Sequence, residues 1–231
     1  MLMRRRAIGT VAYLGGLPAL LEPFCWAWSQ LVQYNAEYLC EPGEYVHYDR
    51  ATVSLHDVAR NMLVDRMAGD WLLQLDTDHI FEPDLAARMV SHMRTYDLQV
   101  AVGLYRHKHP PSTPVIYNWN ADATFALPIG DWDRESGIRA LQIGTAGGGC
   151  LMVKRSVFDR IRTELQEQPF TRFQAFGEDH AFFKRCHALG IPVHALVNVE
   201  APHLALRSMP MTDYERPDAA LLQQVEAGGL R

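Results

Sequence analysis

The sequence has few of the features that mark disulfide-rich or general nucleic-acid-binding proteins. Its 231 residues include only 4 cysteines, none in a C-x-x-C pair. This pattern argues against a zinc ribbon or a dithiol redox motif and predicts buried free thiols. The formal charge of −5 has the opposite sign from that of most nucleic-acid binders. With 48% hydrophobic and 21% charged residues, the composition is typical of a globular protein and excludes a disordered chain.

Common phosphate-binding motifs and membrane spans are also missing from the sequence. No G-K-[ST] follows the glycines of residues 144–149, so they do not form a P-loop, and no dinucleotide-binding fingerprint is present. The three arginines 4–6 and the uncharged residues 7–21 resemble the start of a signal peptide. That segment is shorter than the roughly 20 residues of a membrane span, and its glycines and Pro18 favour a buried strand and loop. We therefore expect a cytoplasmic protein without a membrane span, with export as the alternative.

Short apolar runs alternate with amphipathic segments along most of the chain. The apolar runs predict strands at residues 7–14, 44–49, 71–75, 98–104, 150–153 and 193–199. Helical periodicity follows several of them, including a helix that ends at Gly69. This alternation predicts an α/β fold with a mostly parallel central sheet flanked by helices. Residues 110–133, rich in proline and aromatic side chains, predict a smaller β region beside it.

Two carboxylates stand where the third predicted strand ends. Asp76 and Asp78, separated by Thr77, follow an unbroken apolar run and precede a helix that Pro83 opens. In an open parallel sheet, ligands bind outside the carboxyl ends of the strands. Residues two apart in a strand point to the same side, so both carboxylates can face one ligand. Such oxygens suit Mg²⁺ or Mn²⁺, whereas the alternative is a solvated turn.

Two further features lie in the second half of the chain. Glu178 and Asp179 begin a predicted helix, where acidic residues either cap the helix or supply a general base. His203 follows the last predicted strand. A single histidine does not by itself indicate a functional site. His203 is a candidate only because it accompanies the two acidic motifs.

In this order and spacing, these motifs resemble the GT-A glycosyltransferases, especially the family 2-like members of bacteria and phages. The resemblance spans residues 8–206. It implies a nucleotide pocket that begins at residues 12–16 and a metal held by Asp76, Asp78 and His203. It also implies catalytic roles for Asp179, as the base of an inverting enzyme, and for Glu178. The nucleotide-sugar site implied by the resemblance consists of Ala12, Tyr13, Leu14, Arg60, Asn61, Asp76, Thr77, Asp78, Gly148 and Gly149.

The same resemblance implies a domain plan and a reaction. One GT-A domain would occupy residues 1–206, with a nucleotide-binding half at 7–105, an acceptor half at 106–206 and a tail at 207–231. A Mn²⁺- or Mg²⁺-dependent enzyme would move a sugar from a nucleotide diphosphate sugar, such as a UDP- or GDP-sugar, to an acceptor hydroxyl. The oligomeric state stays open.

Three alternatives remain at this point. A phosphatase of the haloacid dehalogenase type also uses a strand followed by D-x-D, and a non-catalytic nucleotide-sugar-binding module would need no base. The third concerns the acceptor, which is a glycan, a small molecule or hydroxymethylated phage DNA. Residues 106–109 (Arg-His-Lys-His) form a basic cluster that is either a solvated loop or a contact for a polyanion. Nearby Tyr117, Trp119 and Trp132 either stack on a sugar or a base or belong to the core.

Overall fold

A seven-stranded sheet with helices on both faces forms the centre of the molecule. The computed structural model describes residues 5–15, 20–53, 55–109, 111–130, 139–173 and 176–204. Three predicted features lie outside these ranges: the tail 207–231, Gly16 of the predicted nucleotide pocket, and Trp132. The strands of the central sheet are β1 (Arg6–Leu14), β2 (Glu44–Ala51), β3 (Trp71–Asp76), β4 (Val100–Leu104), β7 (Ala140–Ile143), β9 (Cys150–Lys154) and β10 (Val193–Glu200).

The strand order of this sheet is β2-β1-β3-β9-β4-β10-β7. Five strands run in one direction, while β9 and β7 run against their neighbours. The predicted mostly parallel α/β sheet is therefore confirmed. Strand β9, which comes from the second half of the chain, lies between β3 and β4 of the first half.

Helices pack on the two faces of the sheet because successive side chains of each strand point in opposite directions. On one face, Leu73 and Leu75 of β3 pack with α1 (Glu22–Tyr34) and α3 (Leu85–Thr95). On the other face, Leu72 packs with α2 (His56–Arg66), α4 (Arg155–Arg160) and α5 (Glu178–Ala188). Helices α1 and α4 each continue into a π-helical turn, at Asn35–Leu39 and Ile161–Leu165.

A small antiparallel sheet stands beside the central one and confirms the predicted smaller β region. Its strands are β5 (Ile116–Trp119), β6 (Ala126–Pro128) and β8 (Thr145–Ala146), in the order β6-β5-β8. Strand β8 lies inside the glycine-rich segment 144–149. This sheet therefore fixes one end of that segment, and β9 fixes the other.

Helix α2 ends at Arg66, three residues before the predicted stop at Gly69. The intervening backbone bonds to β1 instead of continuing the helix. Ala68 N–H donates to Thr10 Oγ1 at 2.8 Å, and Asp70 N–H donates to Ile8 O at 3.0 Å. Gly69 has a φ of +79° and lies so close to β1 that a Cβ would overlap its backbone. Glycine is needed here for a strand-entry turn.

All four cysteines lie in the described ranges and are free thiols, as predicted, but only two are buried. Cys150 and Cys186 are buried, Cys40 is partly exposed and Cys25 is exposed. Burial raises the pKa of the Cys150 thiol to about 12, so it stays protonated. Among the described residues, no helix combines the length and the apolar character needed to cross a membrane.

Candidate active site

The carboxyl end of β3 carries the D-x-D motif to the edge of the sheet. Asp76 is the last residue of β3 and pairs in register with Leu14 of β1. Its backbone N–H donates to Gly149 O at 2.9 Å. The end of β1 and the glycine-rich segment therefore both adjoin Asp76, at the kind of position where open α/β sheets bind ligands.

Arg60 on α2 is a buried cation that joins several of the predicted site residues. Its Nη2 lies 3.1 Å from Asp76 Oδ1, and its Nε lies 3.5 Å from Glu178 Oε1. Its Nη1 donates to Gln74 Oε1 at 2.9 Å and to Gly148 O at 3.1 Å. Burial favours the neutral form of Arg60, but the nearby carboxylates outweigh it and its pKa is raised. The guanidinium thus stays charged and connects the D-x-D motif, the glycine-rich segment and the start of α5.

His203 reaches the D-x-D motif through backbone pairing. His79 and His203 form an antiparallel bridge, and Leu204 N–H donates to Asp78 O at 2.6 Å. The ligand atoms of Asp78, His79 and His203 consequently lie within 4.8 Å of one another. We refer to these three residues as the Asp–His–His cluster.

The hydrogen bonds of the two histidines determine which ring nitrogen is available. His79 Nδ1 is hydrogen-bonded to Ala201 O, and His203 Nδ1 lies 2.6 Å from Arg106 O. A carbonyl oxygen only accepts, so each neutral ring carries its proton on Nδ1 and keeps a lone pair on Nε2. His79 Nε2 is buried and has no hydrogen-bond partner within the described ranges. The cluster therefore offers two imidazole nitrogens and one carboxylate, a donor set that fits a divalent cation.

Charges around the cluster favour the protonation states that bind metals. Burial acts to raise the pKa of Asp78, but the hydrogen bond and the charge of Lys108 act against it, and the pKa is lowered. Burial lowers the pKa of His79, more than its bond to the Ala201 carbonyl raises it. An ionised carboxylate and a neutral imidazole are the forms that coordinate a cation.

Glu178 and Asp179 differ in their surroundings, although they are adjacent. Glu178 is 9% exposed, and its Oε1 faces both Arg60 and, at 3.7 Å, His56 Nδ1. Asp179 Oδ1 accepts the backbone N–H of His180 at 2.7 Å. Burial and then the charge of Asp179 raise the pKa of Tyr117 on β5. Glu178 is therefore paired with Arg60, whereas Asp179 lies close enough to Tyr117 for its charge to act on the pKa of that tyrosine.

Aromatic side chains of the small sheet surround the start of α5. The ring centroid of His180 lies 5.5 Å from that of Tyr117 and 6.4 Å from that of Trp119. Phe176 packs edge-on against Trp119 at 5.6 Å, and Thr145 Oγ1 is hydrogen-bonded to His180 Nδ1 at 2.7 Å. We refer to Tyr117, Trp119, Phe176 and His180 as the aromatic group. It lies beside Asp179 and is partly core and partly surface.

The predicted nucleotide residues of β1 contribute mainly to the core. Ala12 and Leu14 are buried on the face that packs against α2. Tyr13 packs edge-on against Phe24 and Trp28, with ring centroids 5.4 and 4.9 Å apart. At this end of the sheet, β1 would therefore contact a ligand mainly through its backbone N–H and C=O groups.

Asn61, Thr77, Gly148 and Gly149 complete the predicted set. Asn61 Oδ1 accepts the N–H of Phe170 at 3.1 Å, so it holds the segment that follows α4. Thr77 is 7% exposed. A Cβ on Gly148 would meet the Arg60 guanidinium at 2.8 Å, and one on Gly149 would overlap His79 Nε2. These two glycines let the backbone lie directly against the buried arginine and the cluster.

A comparison with protein families decides the identity of the chain. The family model for glycosyl transferase family 2 matches residues 32–162, more than half of the 231 residues. The chain belongs to glycosyl transferase family 2. As a member of this family it is a glycosyltransferase, which supports neither the phosphatase nor the non-catalytic binding module.

Solved structures support the fold of this family 2 chain. A197 from STIV is 21% identical, with a TM-score of 0.52 and 84% of each chain covered. GalNAc-T7, solved with UDP, GalNAc and Mn²⁺, is 12% identical with a TM-score of 0.56. That match covers 96% of this chain and 48% of GalNAc-T7, so this chain spans about half of the neighbour's length. A sequence search of the curated proteins gives no significant match.

In this family 2 member, the residues that lie together in the structure differ from those that the sequence predicts to bind the metal. Asp78 and His203, two of the three predicted metal ligands, lie together in the cluster; the third member is His79, while Asp76 bonds to Arg60. Sequence reasoning missed His79 because a histidine next to D-x-D gives no sign of where its ring points. The available signal was its position at a strand end, where residues from distant segments meet.

The basic cluster 106–109 turns towards the site. Lys108 Nζ forms an ion pair with Asp78 Oδ2, and His107 Nε2 is hydrogen-bonded to Tyr117 Oη at 2.8 Å. Arg106 Nη1 donates to Ser112 O at 3.2 Å within the loop itself. All four residues of the cluster are exposed, so the loop is solvated, although Lys108 and His107 also contact site residues.

Proposed function

We propose that this glycosyltransferase is a divalent-metal-dependent, inverting enzyme that uses a nucleotide diphosphate sugar. The observation that carries the proposal is the Asp–His–His cluster, whose buried His79 Nε2 lacks a hydrogen-bond partner in the described part of the chain. A bound cation would supply Lewis-acid stabilisation to the departing diphosphate. The presence of UDP and Mn²⁺ in the GalNAc-T7 structure is consistent with this chemistry.

The donor set favours Mn²⁺ over Mg²⁺. Mg²⁺ prefers oxygen ligands and is reluctant to lose its water, whereas Mn²⁺ also tolerates imidazole nitrogen. Two of the three ligands in the cluster are imidazoles. Asp76, held by Arg60 at the end of β3 and beside the end of β1, would lie on the nucleotide side of this site.

Asp179 is the proposed general base. Its carboxylate would take the proton of the acceptor hydroxyl while the acceptor oxygen forms a bond to the sugar carbon and the bond to the diphosphate breaks. The proton stays on Asp179 and the electron pair leaves with the diphosphate. Glu178 would act as a positioning residue through Arg60, because its carboxylate is already bonded there.

The acceptor proposed here is a hydroxyl of a glycan or of a small molecule. The aromatic group beside Asp179 presents ring faces of the kind that stack on sugars. DNA is the weaker candidate, because Lys108 and His107 are engaged with site residues and the net charge is −5.

Calorimetric titration with UDP, GDP, CDP and dTDP tests this proposal, in Mn²⁺, in Mg²⁺ and in chelator. We expect one nucleotide to bind in Mn²⁺ and at least about tenfold more weakly in chelator, a loss of roughly 1.4 kcal/mol. Asp78→Asn should remove the metal dependence. Asp97→Asn is the matched control, because Asp97 also pairs with a lysine but lies on the surface. Failure of every nucleotide to bind under all conditions would contradict the proposal.

A further inference from the structure

The loop after β4 folds back against the Asp–His–His cluster. Val115 N–H donates to Tyr105 O at 3.0 Å, and His107 N–H donates to Thr113 O at 3.0 Å. Arg106 and Pro114 form an antiparallel bridge between these two bonds. The backbone of the loop is thus fixed on both sides, which limits where its side chains can reach.

This loop contacts two members of the cluster directly. Lys108 Nζ pairs with Asp78 Oδ2, and Arg106 O accepts from His203 Nδ1 at 2.6 Å. The side chains of Lys108 and Asp78 are 37% and 31% exposed, so both are partly shielded from water. A lysine ammonium therefore already neutralises the one carboxylate that the cluster offers to a cation.

A divalent cation and the Lys108 ammonium would compete for the same carboxylate. Both are positive, and like charges that share one carboxylate repel each other. The cation gains two imidazole nitrogens that the ammonium cannot use, since an ammonium only donates. Lys108 has a flexible four-carbon stem, so its head can leave Asp78 while the loop backbone stays in place.

We infer that Lys108 is a counter-ion that metal binding displaces from Asp78, and that the displaced ammonium then binds the donor diphosphate. This inference rests on the proposed function, because it places the diphosphate next to the metal. An ammonium is a well-established point-charge partner of phosphate oxygens. Lys108 would thus weaken metal binding in the free enzyme and strengthen nucleotide binding in the metal-loaded enzyme.

The inference predicts that replacing Lys108 strengthens the binding of Mn²⁺ and weakens the binding of the nucleotide. Lys108→Met should bind Mn²⁺ about threefold to fivefold more tightly than wild type in the absence of nucleotide, since it removes a partly exposed ion pair. In saturating Mn²⁺, the same variant should bind the nucleoside diphosphate about tenfold more weakly, as expected for a lost hydrogen bond to a charged group. Calorimetry measures both affinities without turnover.

Two further variants serve as controls. Lys154→Met removes a lysine of similar exposure, 35%, that pairs with Asp97 on the surface, and both affinities should stay at the wild-type values. Lys108→Arg keeps the positive charge, so its Mn²⁺ affinity should stay near that of wild type. This second variant separates the effect of the charge from any effect on folding.

The outcomes distinguish this inference from the proposed function. Equal Mn²⁺ affinity in wild type and Lys108→Met, or equal nucleotide affinity in Mn²⁺, would overturn the role of Lys108 and leave the metal site intact. No Mn²⁺ binding by either protein would overturn the metal site of the proposed function and this inference with it.

Discussion

Arg60 Nη2 lies 3.1 Å from Asp76 Oδ1, so a buried guanidinium on α2 holds the last carboxylate of β3. The same guanidinium reaches Glu178 at the start of α5. Since Asp76 lies on the proposed nucleotide side and Asp179 is the proposed base, one cation connects the two sides of the site. Removing one member of such a buried pair leaves an uncompensated charge, which is costly.

Arg60→Met should therefore destabilise the protein and disturb the site. We expect the free energy of unfolding to fall by about 3 kcal/mol, because the ion pairs of the buried guanidinium are lost and the largely buried Glu178 keeps only His56 as a nearby partner. Urea unfolding followed by circular dichroism measures this loss. Arg155→Met is a control, because the partners of the Arg155 guanidinium within the described ranges are backbone carbonyls, those of Met67 and Gly69, and not carboxylates. Equal losses in the two variants would contradict the special role of Arg60.

Gly149→Ala should damage the metal site through a single added methyl group. A Cβ on Gly149 would overlap His79 Nε2 and meet the Tyr105 ring at 3.2 Å. We expect a loss of about 1–3 kcal/mol in stability, typical of overpacking, and Mn²⁺ binding at least about tenfold weaker. Calorimetry and urea unfolding measure the two effects.

Gly130→Ala is the matched control for this substitution. Among the described residues, a Cβ there meets no atom within 4 Å, and this variant should behave like wild type in both experiments. Wild-type Mn²⁺ affinity in Gly149→Ala would show that His79 Nε2 does not bind the cation.

Asp179→Asn should reduce turnover while leaving donor binding intact. We expect the rate of glycosyl transfer to fall about 100- to 1000-fold, the usual loss for a general base, because an amide cannot take the acceptor proton. Calorimetric affinity for the donor nucleotide should stay within about twofold of wild type.

Glu178→Gln should mainly reduce stability, whereas Asp179→Asn should mainly reduce turnover. Its carboxylate is paired with Arg60, so we expect a loss of about 1–3 kcal/mol in stability. Turnover should fall less than in Asp179→Asn. A greater loss of turnover in Glu178→Gln would reverse the two assignments.

The stability of the metal-free protein should fall as the pH drops below about 6.5. Burial lowers the pKa of His79 in the folded protein, so the unfolded chain binds more protons in this range. Folding therefore has its full stability above the unfolded pKa and loses it as the pH falls towards the folded pKa. Urea unfolding in chelator, from about pH 7.5 to about pH 5.5, measures this slope.

A variant identifies the part of this slope that comes from His79. In His79→Asn the amide can still donate to the Ala201 carbonyl but cannot be protonated, so the slope should be shallower. Burial also lowers the pKa of His92 and His194, and these residues should leave a residual slope of the same sign. An unchanged slope in His79→Asn would contradict the prediction.

Local patterns in the sequence predict most of the strands and helices. The apolar run 71–75 appears as β3, and helical periodicity after the first apolar run appears as α1. The direction of a strand is not predictable from such patterns. The apolar run 150–153 predicts a strand, but it does not predict that β9 runs antiparallel to β3 and β4. A strand buried on both faces shows the same run of side chains in either direction.

The site is less predictable than the fold because its contacts are long-range. Arg60 bonds to Gly148 O, 88 residues away, and His79 bonds to Ala201 O, 122 residues away. Nothing near either residue indicates these partners. Resemblance to a family identifies Asp78 and His203 as neighbours, but the burial of His79 follows only from the packing of Tyr105 and His203 around it.

The central position of β9 has a consequence for how the chain acquires its structure. Strands β3 and β4 follow each other in sequence but meet only through β9, whose residues come about 50 positions later. Until β9 is inserted, the strands on the β3 side of the sheet have no hydrogen bonds to the strands on the β4 side. Closing the long loop that brings β9 into place slows the formation of native strand pairs. We therefore expect residues 5–109 expressed alone to form no cooperative unit, and the donor and acceptor sides to appear together in one late folding event.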